Sequence, residues 1–562
     1  MPKRLAITVA GAVSLGSYEA GVLYEIFHAI GQHNADPATS EADKIVVDVL
    51  TGASAGGMTA TIATQKLLFE ADALSGPYAN SFYRPWVADV NINSLLALQA
   101  GEEATQSIFS SNHVQDISRR YITQRYKSHV DIPRQKHPAA ADTIQLGLAL
   151  SNLNGVDYGV SVMPPVPNGP QQQFVYTRYQ DELKISLRSD SRDGDDTLDT
   201  WEPLRLACVS CGAFAFAFRV VDLVRHASEY ADSNLISKIL PTDLFTYTDG
   251  GTFQNEPLGM AKDLVDLVDN HQNVDSRFYL FVSPGGRGST ANRDFHEAQS
   301  DFLTTGQVLI GAIFNQSRFQ DWARAEKVNQ NINLLNERAV SLQRDLMKNP
   351  GDDGYIDFQN LVLAATTLLG VLFPKGLGPT DETRASAWSR LQQQFKTEYD
   401  ALRGLKGQQA ADTWIDSVLA FETAAQLGPK DEMRIYGITA DNEELASFEL
   451  TSFAGFFDQR YREHDYDVGR TKAQAFLNNP GLLGPIRYKP EAIHPIDKSF
   501  NNLQLENMDP RVRERVRDRL RDRAHKIMAE LKIGYQGLSG GAVREAIDLG
   551  FIKPQLDKLF KL

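Results

Sequence analysis

The stretch KIVVDVLTGASAGGMTATIATQ, residues 44–65, restricts the fold more than any other part of this chain. Its first seven residues are a β-branched apolar run, the pattern of a strand buried on both faces. The chain then passes through Gly52, Ala53, Ser54, Ala55 and Gly56 and continues as a helix candidate. A strand that turns into a helix within so few residues needs small side chains and strained backbone angles. Such a turn lifts its serine clear of the sheet and faces it with the first N–H groups of the helix. The same order occurs once before. LAITVA (5–10) reads as a strand, a small-residue loop follows, and SYEAGVLYEIFHAI (17–30) has helical spacing through Ala20, Leu23 and Phe27. Strand, loop, helix, strand, turn, helix is the βαβ order of an α/β fold, a mainly parallel sheet layered between helices.

Further strands are expected at 143–153, 173–179, 244–251, 277–284 and 433–440, each among turn residues. LRSDSRDGDDTLDT (187–200) reads as an acidic surface loop. Between about 290 and 430 the strand signals fade and helical segments such as VNQNINLLNERAVSLQRDLMKN take over. The expected organisation is therefore a core over 1–290, a mainly helical insertion over 291–430, a segment over 431–475 that packs back on the core, and a helical C-terminal region over 476–562. Within that last region RVRERVRDRLRDR (511–523) carries seven arginines, three acids and a stripe of Val512, Val516 and Leu520. Its opposite charges at i,i+3 and i,i+4 suit a solvated helix, and docking to anionic lipid is the sharper alternative.

With 562 residues, 42% of them hydrophobic, the chain can bury a sizeable core. A net charge of −14 argues against nucleic-acid partners, which need a basic footprint. It leaves a peripheral membrane contact open. The two cysteines, Cys208 and Cys211, form a C-x-x-C pair with no second pair to complete a zinc site, and read as small buried residues in a reducing cytosol. MPKRLAITVAGAVSLG imitates a signal peptide, but cleavage there would remove the first strand and loop. LVLAATTLLGVLF (361–373) is too short to span a bilayer. A cytoplasmic chain starting at Met1 is the expectation, with no metal and no cofactor. No pattern in the sequence speaks to oligomeric state.

Three separate stretches carry chemistry. G-x-S-x-G at 52–56 presents Ser54 as a nucleophile, which needs a base to take its proton. In the α/β-hydrolase order an acid and then a histidine would follow, but His271, His296 and His464 sit in no recognisable setting. YTDGGTFQNEPL (247–258) marks a better base. Asp249 ends a strand, and Gly250 and Gly251 let another group come close. A free aspartate is a weak base, so this one needs a dry site. The third stretch, AGAVSLGSYEAGVL (10–23), places small residues Gly11, Ala12, Val13 and Gly16 before a helix, where backbone N–H groups can stabilise an oxyanion. It lacks both G-x-G-x-x-G and G-K-[ST], so nucleotide readings fail.

Together these stretches resemble the patatin-like phospholipases, notably the long bacterial type. The similarity covers roughly residues 4–285: GSYEAGVL (16–23), VDVLTGASAGGM (47–58), DGGTFQNEP (249–257) and, more loosely, SCGAFAFAF (210–218). GFFDQRYREHDYDVGR (455–470) also looks like a segment of the long members. The resemblance implies a patatin-like three-layer core and a serine esterase of lipids. It implies a Ser54–Asp249 dyad without histidine, an oxyanion loop at Gly11, Ala12 and Val13, and motif glycines at 16, 52, 56, 250 and 251. The chain departs from the family pattern in that loop. Ala12 and Val13 replace glycines, and Leu15 stands where an arginine is usual. Donor N–H groups survive such changes where φ is negative. Phe214, Phe216 and Phe218 are candidates for a greasy channel, with core packing for one alternate set. A scaffold without activity and a Ser–Asp–His esterase are the competing readings.

Overall fold

The computed structural model describes residues 2–127, 133–162, 172–190, 195–230, 234–269, 276–285, 295–297, 300, 302–376, 383–425, 427, 433–479, 483–531, 547–548 and 552–560. Two compact units divide the chain. One comprises Met1–Val265, Ser276–Asp321 and Ile435–Leu562; the other comprises Asp266–Asp275 and Trp322–Arg434.

The first unit is built on an eight-stranded sheet. Its strands are β1 (Lys3–Val9), β2 (Ile45–Gly52), β3 (Ala140–Val162), β4 (Gln172–Arg188), β5 (Val221–His226), β6 (Thr242–Asp249), β7 (Arg277–Ser283) and β8 (Ile435–Thr439). Their order is β5-β6-β3-β2-β1-β7-β8, with β4 also pairing β3. β1, β2, β3, β7 and β8 run parallel; β4 and β6 are antiparallel to β3. The central strands β1 and β2 are buried almost throughout, as strands covered on both faces must be. Helices α1 (Gly16–Ala35), α2 (Ser54–Phe69) and α3 (Leu198–Cys211) contribute Tyr18, Leu23, Phe27, Leu67, Trp201 and Cys208 to one hydrophobic core with the sheet.

β3 sets the geometry that matters most. β4 occupies one of its edges from Thr143 to Val162. The opposite edge is therefore shared: β2 takes the part ending at Leu148↔Gly52, and β6 takes Leu150↔Asp249 to Asn152↔Tyr247. β2 and β6 approach each other end to end, with only Ala149 between their last partners.

β2 also carries a bulge. Leu5 pairs Val47 and Ala6 pairs Val49, so Asp48 is the extra residue. Its buried carboxylate accepts from Arg277 Nη1 and Nη2 at 2.5 and 2.9 Å and from Arg4 Nη1 at 3.2 Å. Removing one partner of a buried ion pair leaves the other charge uncompensated. Asp48→Ala is therefore expected to cost about 3 kcal/mol of stability, read as a lowered denaturant midpoint. An unchanged midpoint would show that the two arginines find other partners.

Residues 435–477 join the first unit. β8 extends the sheet beside β7, and α4 (Gln459–Leu477) packs along α1. Arg462 and Arg470 on α4 are fully buried. Arg462 donates to the Val87, Gly455 and Asp458 carbonyls, and Arg470 pairs with Glu25. The arginine-rich segment forms α5 (Pro510–Glu530), and its Val512, Val516 and Leu520 stripe packs in a second cluster with Phe456, Phe457 and Tyr461. This helix is not simply solvated. Arg523 is buried and donates to the carbonyls of Ile108, Ala104 and Ser107, and Arg513 is buried and donates to that of Phe560.

The second unit is helical in its described residues. Helices Phe358–Leu372, Arg384–Gln394, Lys396–Lys406 and Gln408–Ala424 enclose Leu369, Leu391, Tyr399, Leu402 and Trp414. The Trp414 indole N–H donates to the Ala339 carbonyl at 2.8 Å. The helix Phe302–Ser317 lies with the first unit. Among the described residues no helix is long and apolar enough to cross a membrane.

Candidate active site

Ser54 opens α2 immediately after β2, with Ala53 in extended conformation as the cap. Its φ is +51°, the left-handed region, so the elbow expected from G-x-S-x-G is present as a strained turn. The turn is also too tight for side chains. A Cβ on Gly56 would lie 2.3 and 2.4 Å from the carbonyl oxygens of Ala10 and Val9.

Asp249 is the last residue of β6. The end-to-end meeting of β2 and β6 brings its Oδ2 within 2.6 Å of Ser54 Oγ, the donor. Oδ1 accepts the Gly251 N–H at 2.7 Å, so the glycine pair both turns the chain and orients the carboxylate. The backbone of Asp249 is fixed as well. Its N–H donates to the Ala213 carbonyl, and its carbonyl accepts from Ser151 Oγ. The carboxylate is completely buried. Burial pushes it up to about 7, against the lowering effect of the bonds from Ser54 and Gly251. Ser54 keeps 7% of its surface exposed.

Among the described residues no histidine bonds either side chain. His464 is buried on α4 with its Nε2 against the Glu444 carbonyl, and His296 is exposed. His271 lies outside the described residues.

The loop at 11–15 lies beside this pair. The Gly11 N–H is committed to the Asn255 carbonyl at 3.0 Å, so of the three loop residues Gly11 has no N–H to offer a substrate. The N–H of Leu15 returns to the Ala12 carbonyl, closing a short 3-10 turn. Among the described residues, the N–H groups of Ala12 and Val13 are not used by the backbone bonds that tie the loop down. The expectation of negative φ fails at Val13, whose φ is +53°. A β-branched residue in this region costs about 1–2 kcal/mol. A position usually filled by glycine thus keeps a glycine-like backbone here with valine in place. Leu15 is buried in the main core.

Ser54 opens onto an apolar cavity of about 70 Å³. Met58 and Ile62 of α2, Val13, Trp86, Phe214, Phe218 and Phe456 line it. Of the three phenylalanines marked in SCGAFAFAF, the outer two line this space, while Phe216 is 73% exposed. Cys208 also borders the cavity, but burial pushes its thiol up to about 12 and that of Cys211 well above the usual range. Both cysteines are free and, held as thiols, inert.

One family model, described as patatin-like phospholipase, matches residues 7–262, the span that holds the Ser54 elbow, the small-residue loop before the first helix and D-G-G at the end of β6. Residues 7–262 are a patatin-like phospholipase domain. At the level of that family, the match supports lipid acyl hydrolysis. None of the curated proteins matches the chain. The patatin match ends at 262, so β7, β8, α4 and α5, and with them Phe456 of the cavity wall, come from outside it.

The sequence reading named the two side chains and the loop. It gave no role to Trp86, Met58 or Phe456: Met58 ends the quoted elbow stretch and Phe456 lies in the quoted 455–470 segment, while Trp86 lies in none of the motifs and enters the site only through tertiary packing. It quoted Asn255 only as part of a motif, without its role in fixing Gly11.

Proposed function

We propose that the chain is a serine acyl hydrolase of lipid esters acting through Ser54 and Asp249. The observation that carries this reading is the 2.6 Å bond from Ser54 Oγ to a fully buried Asp249 whose carboxyl sits at about 7, beside an apolar cavity. In the first step Oγ attacks the ester carbonyl carbon as its proton passes to Asp249 Oδ2. The carbonyl oxygen becomes the oxyanion, and the N–H groups of Ala12 and Val13 receive it, aided by the N-terminus of α2. Collapse breaks the bond to the alcohol oxygen, which leaves with the proton from Asp249. Water then attacks the acyl-Ser54 ester, gives its proton to Asp249, and the fatty acid departs with Ser54 reprotonated. The cavity takes the acyl chain. Nothing in this sequence of steps uses a metal or a cofactor.

The reading is tested by hydrolysis of p-nitrophenyl and glycerolipid esters, with labelling of Ser54 by a fluorophosphonate. Absence of both turnover and label would favour the inactive-scaffold reading, for which the strain at Val13 is the motivating feature.

A pH dependence follows. Asp249 must be ionised to accept the proton, so kcat/KM should rise with pH and reach half its maximum near 7. A profile flat from pH 5 to 8, about the span over which such a group titrates, would mean that Asp249 does not supply the base.

A further inference from the structure

Val13 holds a left-handed backbone that valine does not hold by preference, so something must hold it there. At Val13 and Ser14 the loop also meets residues 446–457, which lie outside the matched patatin domain. Ser14, fully buried, donates its hydroxyl to the Ser452 carbonyl. Gly455 lies against the same hydroxyl, where a Cβ would come within 2.4 Å of Ser14 Oγ and equally close to Ser447 Oγ. Val13 itself packs in the second hydrophobic cluster with Leu450, Phe453 and Phe456.

This segment is tied at both ends to α4. At its start Asp465, fully buried, accepts the Ala446 N–H at 2.7 Å. At its end Arg462 donates to the carbonyls of Gly455 and Asp458. Between the ties, Leu450 and Ser452 both have positive φ, +54° and +67°. The backbone is bent so that the Ser452 carbonyl reaches Ser14 while Phe453 meets Phe214 edge to face. Strain of this kind persists only where surrounding contacts over-determine it.

We propose that residues 446–457 act as a strap that positions the oxyanion loop, with the Ser14–Ser452 bond holding Val13 in its left-handed conformation. The strap replaces, by contacts from the C-terminal part of the chain, the conformational freedom a glycine would have supplied at 13. Ser14 is a positioning residue: it touches no reacting atom and works through the N–H of Val13. The inference rests on the dyad reading above.

A double-mutant cycle between Ser14→Ala and Val13→Gly tests it, with ester hydrolysis and thermal melting measured for all four proteins. Ser14→Ala in the wild-type background should lower kcat about tenfold, a fraction of what losing a whole oxyanion donor costs. The pH midpoint near 7 should change little, because the Ser54–Asp249 bond is untouched, and the melting temperature should fall only by what one buried hydrogen bond contributes. Glycine at 13 needs no strap, so in the Val13→Gly background the same change should cost less than about twofold. Gly455→Ala, which drives a methyl into the Ser14 hydroxyl, should follow Ser14→Ala in kcat. Equal losses from Ser14→Ala in both backgrounds, or no loss in either, would overturn the strap. Failure of the dyad reading would look different, since turnover would then survive removal of Ser54 or Asp249 whatever stands at 13 and 14.

Discussion

Ser54→Ala is expected to reduce ester hydrolysis by about 10⁴-fold or more, the scale on which nucleophile deletions act in serine hydrolases. The substitution removes one oxygen from a side chain that is already nearly buried and leaves the elbow backbone in place. The lost activity therefore should not come with lost structure. The hydroxyl's partner is an aspartate whose burial opposes its charge, so its removal leaves Asp249 with one bond fewer and a stronger tendency to stay protonated. The measurement is turnover of a soluble ester beside a melting curve. Turnover above about a tenth of wild type in a well-folded variant would take Ser54 out of the chemistry.

Asp249→Asn should be almost as damaging, with kcat lowered about 10³–10⁴-fold, and it should stabilise the protein. The amide fills the same space and its oxygen can still accept the Gly251 N–H, but it cannot take a proton from Ser54. The stability effect has a definite sign. Asp249 has a folded value of about 7 against about 3.9 for a free aspartate, so the folded state binds the proton more tightly than the unfolded state. Its contribution therefore falls as pH rises from about 4 to about 7 and stays low above that, by about 4 kcal/mol in full. An asparagine has no such penalty. The variant should melt above the wild type at pH 8 and close to it at pH 4. A gap that is the same at both pH values would show that the carboxylate is not strained by its burial.

Strands β1, β2, β6, β7 and β8 are legible in the sequence because each is a compact apolar run between turn residues. β5 is not. VDLVRH places the large apolar Val224 outside, 57% exposed, and Arg225 inside, where it bonds Asp181 and Tyr247. At these two positions its polarity is inverted, and an apolar-run reading passes over it. β3 runs beyond 143–153 into a ribbon with β4 that leaves Val160 exposed, and β4 runs beyond 173–179 through QDELKISLR, whose polar residues interrupt the apolar pattern. The site divides in the same way. Ser54 and Asp249 each sit in a local motif whose turn chemistry is written in adjacent residues. That they meet, 195 residues apart in the chain, depends on β3; the D-G-G stretch marked Asp249 as the better base, and the family resemblance implied the pair as a dyad. The conformation of Val13 could not be read at all, because valine is a residue that argues against it.

The shared edge of β3 makes that strand a ruler for the chemistry. A slip of its pairing by one residue would carry Asp249 about 3.4 Å along the strand, further than the length of the bond it makes to Ser54. The nucleophile and its base are thus aligned by hydrogen-bond register, with no tolerance for an intermediate setting. Turnover by any variant is therefore a report that β2, β3 and β6 have paired in one register, and lengthening of the loops between these strands is neutral to catalysis so long as that alignment is kept.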